Sequence, residues 1–288
     1  MLKELQRTNQ ILSRRYIQHQ PGAPILRLDG VDLAYGGRSV LEKITFDALP
    51  GERMAVIGPN GAGKSTLFRL IAGVLTPTSG HVTVFGSEPD GHICIAYVPQ
   101  RAHVDWKFPV NVADVVMMGR LGKIGLMRRA RRVDWERVYA ALDMVNLRSL
   151  AKRQIQQLSG GQQQRMFIAR ALAQEAELIL MDEPLTGLDS NAQEELFQAL
   201  DALRGSNVTV LMALHDLKLA AERFDRVLLL NRRILHLGTA AEVFTTDHLQ
   251  QAYGGHLHIL PIEAQKALAV GDTCCEQDEE IESPRTIW

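Results

Sequence analysis

The spacing of hydrophobic and polar residues along the chain predicts an α/β fold with an attached antiparallel β subdomain. Residues 25–28 and 30–35 alternate as two strands, and residues 40–46 alternate again after a Gly-Gly turn. Later, bare apolar runs such as 178–181 and 208–213 are each followed by a segment whose apolar residues recur at helical spacing. Strands that alternate with helices in this way indicate a mostly parallel sheet with helices on its faces.

The same pattern divides the chain into three parts. Residues 1–24 are polar and basic and end in a Pro-Gly-Ala-Pro boundary, which predicts an N-terminal extension. Residues 25–254 carry the signals of one main domain, and an α-helical subdomain is predicted within it at about 101–172. From residue 255 the pattern decays, so residues 255–288 are predicted to form a partly disordered C-terminal tail.

A glycine-rich loop joins a predicted buried strand at 53–57 to a predicted helix at 66–72. The loop fits the pattern G-x-x-x-x-G-K-S, in which glycines let backbone N–H groups turn toward phosphate oxygens at a helix N-terminus. A chance match in a glycine-rich turn is the alternative, but a strand before and a helix after the loop favour nucleotide binding. The predicted nucleotide-binding residues are Gly58, Pro59, Asn60, Gly61, Ala62, Gly63, Lys64, Ser65 and Thr66.

Specific chemistry is predicted for Lys64 and Ser65 of this loop and for two carboxylates far along the chain. Lys64 is expected to reach the β- and γ-phosphates, and the Ser65 hydroxyl is expected to bind Mg²⁺. Asp182 follows the buried run 178–181, so it should emerge at the carboxyl edge of the sheet as a second Mg²⁺ ligand. Glu183 is then free to act as the catalytic base toward water. The alternative, an ordinary solvated turn, is disfavoured by the phosphate loop.

Three further side chains at the ends of predicted strands are candidates for the same site. His215 follows the next buried run and is expected to contact the γ-phosphate and orient water, although a lone histidine there is more often structural. Gln100 is placed to touch both Mg²⁺ and water. Tyr35 precedes the Gly-Gly turn and is a candidate for stacking on a purine base, although such a tyrosine usually packs in the core.

The helix predicted after residue 159 begins with a capping box, because Ser159 is followed three residues later by Gln162. It lies in the string Leu-Ser-Gly-Gly-Gln, residues 158–162. In chain order the motifs resemble the Walker A, Q-loop, signature, Walker B, D-loop and H-loop of ATP-binding cassette (ABC) proteins, over roughly residues 25–245. These motifs are residues 58–65, Gln100, residues 158–162, Asp182 with Glu183, the loop through Asp189, and His215.

The resemblance implies a P-loop ATPase core that binds ATP and Mg²⁺. It also implies that Tyr35 stacks on adenine. Ser159, Gly161 and Gln162 are expected to contact ATP held by a second copy in a head-to-tail dimer, and Asp189 of the D-loop is a further expected nucleotide-binding residue. The loop after Glu183 departs mildly from the family pattern, because Gly187 stands where many members have alanine.

The string Val-Asp-Trp-x-Phe-Pro, residues 104–109, resembles importers for manganese, zinc or iron. It implies an ATP-hydrolysing subunit at the cytoplasmic face of the membrane that energises a binding-protein-dependent importer. An integral membrane permease would dock in a groove near Trp106 and Phe108, and an extracytoplasmic solute-binding protein would take part indirectly. The alternative is that Trp106, Phe108, Met117 and Met118 only pack the helical subdomain. An exporter, or an importer of another solute, stays open.

Composition and charge exclude several other classes. A net charge of −1 gives no electrostatic reason to expect a nucleic-acid partner, and one cassette without heptads disfavours an ABC ATPase that acts on DNA or ribosomes. Three cysteines make no disulfide framework, and neither a signal peptide nor a transmembrane run is expected. The basic segment 119–132 is predicted to be a solvated loop. Cys274 and Cys275, with His256 and His258, are favoured as incidental tail residues over a metal sensor.

Overall fold

The computed structural model describes His19 and residues 23–89, 92–100, 104–125, 128–205, 207–254, 257–260 and 267–270. Within these residues a main six-stranded sheet is ordered β5-β6-β7-β3-β8-β9, and all neighbours are parallel except the final hairpin β8-β9. Its strands are β3 (Arg53–Ile57), β5 (Ile95–Val98), β6 (Leu178–Met181), β7 (Thr209–Leu214), β8 (Arg226–Asn231) and β9 (Arg233–Gly238).

A second, antiparallel sheet packs on one face of the main sheet. It has the order β2-β1-β4, with β1 at Leu26–Tyr35, β2 at Arg38–Ala48 and β4 at Ser79–Val84. Gly30 does not separate two strands as its position predicted. β1 runs through it with a shift in register, because a left-handed φ of 57° and a hydrogen bond from its N–H to Thr45 Oγ1 accommodate a bulge.

The helices flank the main sheet or form the inserted helical subdomain. Helix α1 follows β3 and packs between the two sheets, whereas α2, α4 and α5 pack together in the subdomain. The helices are α1 (Lys64–Ile71), α2 (Val112–Met118), α3 (Leu121–Ile124), α4 (Arg132–Met144), α5 (Gly160–Gln174), α6 (Ser190–Asp201), α7 (Leu217–Arg223), α8 (Ala240–Val243) and α9 (Thr246–Tyr253). The fold is therefore the predicted one, and none of the described helices combines the length and apolar character needed to cross a membrane.

Strand β3 shows why the sheet is buried on both faces. Its residues are all buried, and alternate side chains point to opposite cores. Met54 and Val56 join the core shared with α1 and the antiparallel sheet, whereas Ala55 and Ile57 join the core shared with the helical subdomain. A central parallel strand of this kind reads as an uninterrupted apolar run, which is how it was predicted.

The structure differs from the prediction in two segments. The basic segment 119–132 is not simply a solvated loop, because it contains α3 and because Arg120 is buried against Asp134 and the carbonyl of Ala173. After residue 254, where no regular structure was predicted, β10 (Leu257–Leu260) pairs with β11 (Ala267–Val270) in an antiparallel hairpin. His256, Cys274 and Cys275, like residues 271–288 as a whole, lie outside the described residues.

Candidate active site

Four neighbouring parallel strands end at one edge of the main sheet, and each delivers a predicted site residue there. The phosphate loop follows β3, Asp182 and Glu183 follow β6, His215 follows β7, and Gln100 lies two residues after β5. Carboxyl ends of parallel strands share an edge, so residues more than a hundred positions apart in sequence become neighbours. The site lies in the crevice where ligands bind in open α/β sheets.

The phosphate loop needs glycine for close packing as well as for backbone freedom. A Cβ atom added at Gly58 would lie 2.0 Å from the carbonyl oxygen of Leu230, and one at Gly63 would lie 2.8 Å from Leu41 Cδ2. Gly63 also has a φ of 99°, which disfavours other residues. The loop thus packs closely against the end of β8 and the antiparallel sheet.

Lys64 is buried and folds back over the loop that it ends. Its Nζ donates to the carbonyl oxygens of Gly58, at 2.7 Å, and Pro59, at 3.2 Å, and lies 3.8 Å from Glu183 Oε1. The ammonium group therefore sits inside the concave face of the loop. A cation held there, with loop amides around it, is a suitable receptor for phosphate oxygens.

Ser65 and Asp182 form the predicted Mg²⁺ pair. The Ser65 hydroxyl donates to Asp182 Oδ1 at 2.9 Å, and Tyr97 donates from its hydroxyl to the other oxygen at 3.2 Å. Burial raises the pKa of the fully buried Asp182 carboxyl, and the neighbouring Glu183 charge acts in the same direction against the two hydrogen bonds. Hard oxygen donors and an insufficiently compensated buried carboxylate suit a magnesium ion. The chemistry of the donor set therefore fits the ion.

Tyr97 is a site residue that the sequence reasoning missed. It lies in β5, two residues before the Pro99-Gln100 turn, and burial raises the pKa of its hydroxyl. An apolar strand normally uses a tyrosine for packing, and only the pairing of β5 with β6 brings its hydroxyl to Asp182. Its position therefore gave no signal in the sequence.

Three polar side chains surround the Glu183 carboxylate. His215 Nε2 lies 2.7 Å from its Oε1, and Gln100 Nε2 donates to its Oε2 at 3.0 Å. The hydrogen bond with His215 is the largest effect that lowers the pKa of Glu183, and the Lys64 charge adds to it. Glu183 also has a left-handed φ of 48°, which is uncommon outside glycine and points to a position held for function. The carboxylate is thus ionised and aimed into the site.

The remaining predicted residues lie outside this cluster. Tyr35 is 49% exposed at the end of β1, so its ring is free to receive a planar ligand. Ser159 caps α5, with its Oγ accepting from Gln162 N–H and Gln162 Oε1 accepting from Ser159 N–H. Asp189 caps α6 by accepting from Ala192 N–H at 2.8 Å. A Cβ at Gly161 would lie 2.8 Å from Ala192 Cβ, so this glycine has a packing role between α5 and α6.

The two aromatic residues that are expected to contact a membrane subunit differ in their exposure to solvent. Trp106 is partly buried and packs edge-on against Phe167, with ring centroids 5.9 Å apart, whereas Phe108 is 55% exposed. A separate cleft of about 620 Å³, which neither of these rings lines, opens between the end of α1, the β5 edge and the α2–α3 segment. Its apolar lining includes Val74, Met118 and Leu121, which are largely exposed.

Comparison with known proteins decides the family. The family model described as ABC transporter matches residues 41–186. The manganese transport system ATP-binding protein MntB of Bacillus subtilis (strain 168) is 45% identical over 247 residues, which cover 85% of this chain and 98% of that protein. The chain belongs to the ABC transporter family. As an ATP-binding cassette of this family it binds and hydrolyses ATP.

Two further comparisons agree with this assignment. The zinc transport system ATP-binding protein TroB of Treponema pallidum (strain Nichols) is 44% identical, over 81% of this chain and 88% of that one. A chain from a structure described as a metal-chelate type ABC transporter in an inward-facing conformation superposes with a TM-score of 0.73 at 33% identity, covering 84% of this cassette and 92% of that chain. The matched family segment includes the phosphate loop, Gln100, the signature string and both carboxylates, and it ends before Asp189 and His215.

Proposed function

We propose that the chain is the ATP-hydrolysing subunit of a binding-protein-dependent importer for a divalent transition metal of the manganese, zinc and iron class. The observation that carries the catalytic part is the cluster around Glu183, where one carboxylate meets His215, Gln100 and Lys64 at the end of a phosphate loop. The cargo class is supported by identities of 45% and 44% to ATP-binding proteins named for manganese and zinc transport.

The shape of the loop supports a set of binding residues. Backbone N–H groups of Gly58 and residues 60–66, together with Nζ of Lys64, would hold the phosphates of ATP, and Tyr35 would offer its exposed ring to the adenine. Ser65, Asp182 and Gln100 would hold Mg²⁺. The ion would neutralise charge that develops on the phosphate oxygens. Phosphate oxygens could replace the loop carbonyls that Lys64 contacts, and their negative charge would compensate the ammonium group better than neutral carbonyls do.

Glu183 is proposed as the general base. Its ionised carboxylate accepts a proton from the attacking water, and Gln100 and His215 hold the carboxylate and the water in place. The hydrogen bond with His215 lowers the pKa of Glu183, so the carboxylate stays ionised to more acidic pH. His215 thereby has a positioning role toward the base and would also face the γ-phosphate.

The signature helix is proposed to serve the second copy of the chain. Ser159 caps the N-terminus of α5, and this end of the helix attracts anions. Within the capping box, Ser159 and Gln162 each accept a hydrogen bond from the other's backbone N–H. In a head-to-tail dimer, Ser159, Gly161 and Gln162 would contact the γ-phosphate on the partner's loop, with Asp189 at the interface. ATP would then favour the closed dimer, because donors from both copies are needed to stabilise the phosphate charge.

The membrane permease is proposed to dock on the helical subdomain, over the groove near Trp106 and Phe108 and the cleft beside β5, and the chain would then be a peripheral subunit at the cytoplasmic face of the membrane. The exposed apolar side chains of Val74, Met118 and Leu121 suit a short amphipathic helix. The Trp106 and Phe108 segment leads into the same helical subdomain, and Gln100 links its start to Glu183. Movement of the docked helix would therefore shift Gln100 and, through its hydrogen bond, the position of Glu183. The solute-binding protein would deliver the metal to the permease from the opposite side of the membrane.

Transport in cells that carry the complete system tests this proposal. Uptake of radiolabelled manganese, zinc and iron is compared between cells with the wild-type chain and cells with Glu183→Gln, after deletion of the chromosomal copy. Loss of uptake of one of these metals in Glu183→Gln, but not in the exposed control Glu222→Gln, is the expected result. If uptake of all three metals is the same with and without the chain, the cargo assignment is wrong, whatever the ATPase activity.

A further inference from the structure

A small cluster of metal-ligating side chains lies at the start of β5, whereas the ATP site lies at the ends of the strands. One imidazole nitrogen each from His19 and His92 and the Sγ atom of Cys94 lie within 4.8 Å of one another. His92 Nδ1 is 3.1 Å from Cys94 Sγ. Tetrahedral coordination with bonds of ~2.0 Å to nitrogen and ~2.3 Å to sulfur requires ligand atoms roughly 3.5 Å apart. The observed spacing needs only small side-chain adjustments to reach it.

The surroundings favour a bound ion over simple packing. A cavity of about 30 Å³ is lined by His19, His92 and Cys94, which is room for a single ion or water. His92 Nε2 is buried without a hydrogen-bond partner among the described residues, so an ion at this nitrogen would offset its desolvation cost, whereas an ion at Nδ1, the nitrogen beside Cys94 Sγ, would leave it unsatisfied. Glu177 Oε1 lies 3.7 Å from His19 Nδ1, and a carboxylate next to a ligating histidine commonly fixes its orientation.

The backbone holds part of this cluster rigidly. The N–H groups of Glu177 and Leu178 both donate to the carbonyl oxygen of Cys94, which ties the start of β6 to the start of β5. His19 is placed by its ring, which stacks on Phe85 with centroids 3.7 Å apart. The cation Lys123 also lines the cavity, but Glu175 pairs with it, so its charge is compensated.

We propose that His19, His92 and Cys94 form a binding site for a divalent transition metal ion of borderline softness, with Zn²⁺ as the best fit. Two imidazoles and one sulfur suit Zn²⁺ and Co²⁺, whereas Mn²⁺ prefers oxygen ligands and should bind much more weakly. A water molecule would complete a fourth position. The site does not depend on ATP binding or on the identity of the transported solute.

Protonation shapes how this site binds. Burial raises the pKa of the Cys94 thiol to about 12, with the Glu177 charge adding to the effect, and burial lowers the pKa of His92. The thiol must give one proton to solvent as its bond to the ion forms.

The site would connect the N-terminal extension to the proposed docking surface. His19 precedes the cassette, while His92, Ile93 and Lys123 line both the small cavity and the 620 Å³ cleft. A bound ion would fix this wall of the cleft and hold His19 against it. This consequence rests on the proposed docking function, but the metal site itself does not.

Co²⁺ absorption and Zn²⁺ competition on the purified full-length chain test the site without ATP or permease. The starting protein is Cys274→Ala with Cys275→Ala, which leaves Cys94 as the single thiol of the chain's three cysteines. Titration with Co²⁺ should give one equivalent with a sulfur-to-cobalt charge-transfer band, and Zn²⁺ should displace it. Mn²⁺ should not displace it at the same concentration.

Single substitutions then identify the ligands. Cys94→Ala should abolish the charge-transfer band, and His92→Ala and His19→Ala should each weaken Zn²⁺ binding by at least about tenfold. His81→Ala, which removes an exposed histidine of β4, is the matched control and should bind normally. Unchanged ATP binding shows that each variant is folded. Absence of the one-equivalent band in the Cys94-only protein, or Zn²⁺ binding that survives both His92→Ala and His19→Ala, would overturn the proposal.

Discussion

His215 Nε2 lies 2.7 Å from Glu183 Oε1, and this contact joins the ends of the neighbouring parallel strands β6 and β7. It fixes the direction of the proposed base and is the largest reason for the lowered pKa of Glu183. Gln100 donates to the second carboxylate oxygen, so the two partners together limit how far Glu183 can move. Catalysis should therefore depend on the whole arrangement around Glu183.

Replacing Glu183 with Gln should reduce ATP hydrolysis by a factor on the order of 10² or more, because the amide keeps the shape but cannot accept the proton. ATP should still bind, and an ATP-bound dimer should accumulate. Turnover of the complex reconstituted with its permease measures the first effect, and size-exclusion chromatography with ATP measures the second. Near-normal turnover would show that another group is the base.

Replacing His215 with Ala should lower turnover but leave ATP affinity nearly unchanged, since the phosphate loop does not depend on it. Because His215 is proposed to act partly through Glu183, turnover should begin to fall at a higher pH in His215→Ala than in the wild type when the solution is acidified. Loss of the hydrogen bond lets the pKa of Glu183 rise toward its ordinary value. Identical pH profiles of the two proteins would mean that His215 does not act through Glu183.

Asp182→Asn should abolish Mg²⁺-dependent hydrolysis while making the nucleotide-free protein more stable to heat at neutral pH. Burial raises the pKa of Asp182, so its ionised form opposes folding above that pKa, and the opposition disappears as pH falls through it and the carboxyl takes up a proton. The melting temperatures of the two proteins, measured without metal at several pH values, should therefore converge on acidification. A less stable Asp182→Asn protein at neutral pH would contradict this reading.

Ser159→Arg should leave each phosphate loop intact yet prevent turnover in a homodimer. When these chains are mixed with Lys64→Ala chains, one restored composite site should form, because an intact loop then faces an intact signature helix. The other site carries both defects. Activity of the mixture above that of either variant alone checks this. Full activity of Ser159→Arg by itself, at concentrations where no dimer forms, would refute the composite site.

Gly161→Ala separates the packing role of this glycine from its proposed contact with ATP. The new Cβ would overlap with Ala192, which should lower the free energy of unfolding by roughly 1–3 kcal/mol. Adding Ala192→Gly creates space and should restore most of that loss, apart from about 1 kcal/mol for glycine within a helix. Recovery of stability without recovery of ATPase activity supports the contact with ATP, whereas recovery of both assigns Gly161 to packing alone.

The elements and their order follow from the sequence, because hydrophobic periodicity and capping are local properties. The capping box at Ser159 and the helix at the end of the glycine-rich loop lie where the residue pattern predicts them. The phosphate loop and the Asp-Glu pair after an apolar run were also readable, since a strand end and a glycine-rich turn are short segments. These features were enough to predict an ATP site.

Tertiary structure alone decided which side chains meet. Tyr97 reaches Asp182 because β5 pairs with β6, and Gly161 is required because two helices approach closely, and neither fact leaves a local signal. The same holds for His19, His92 and Cys94, which have no spacing typical of a metal site and converge only when the extension meets the edge of the sheet. Sequence patterns determine local elements through near neighbours, whereas a site made of distant residues depends on sheet order and packing.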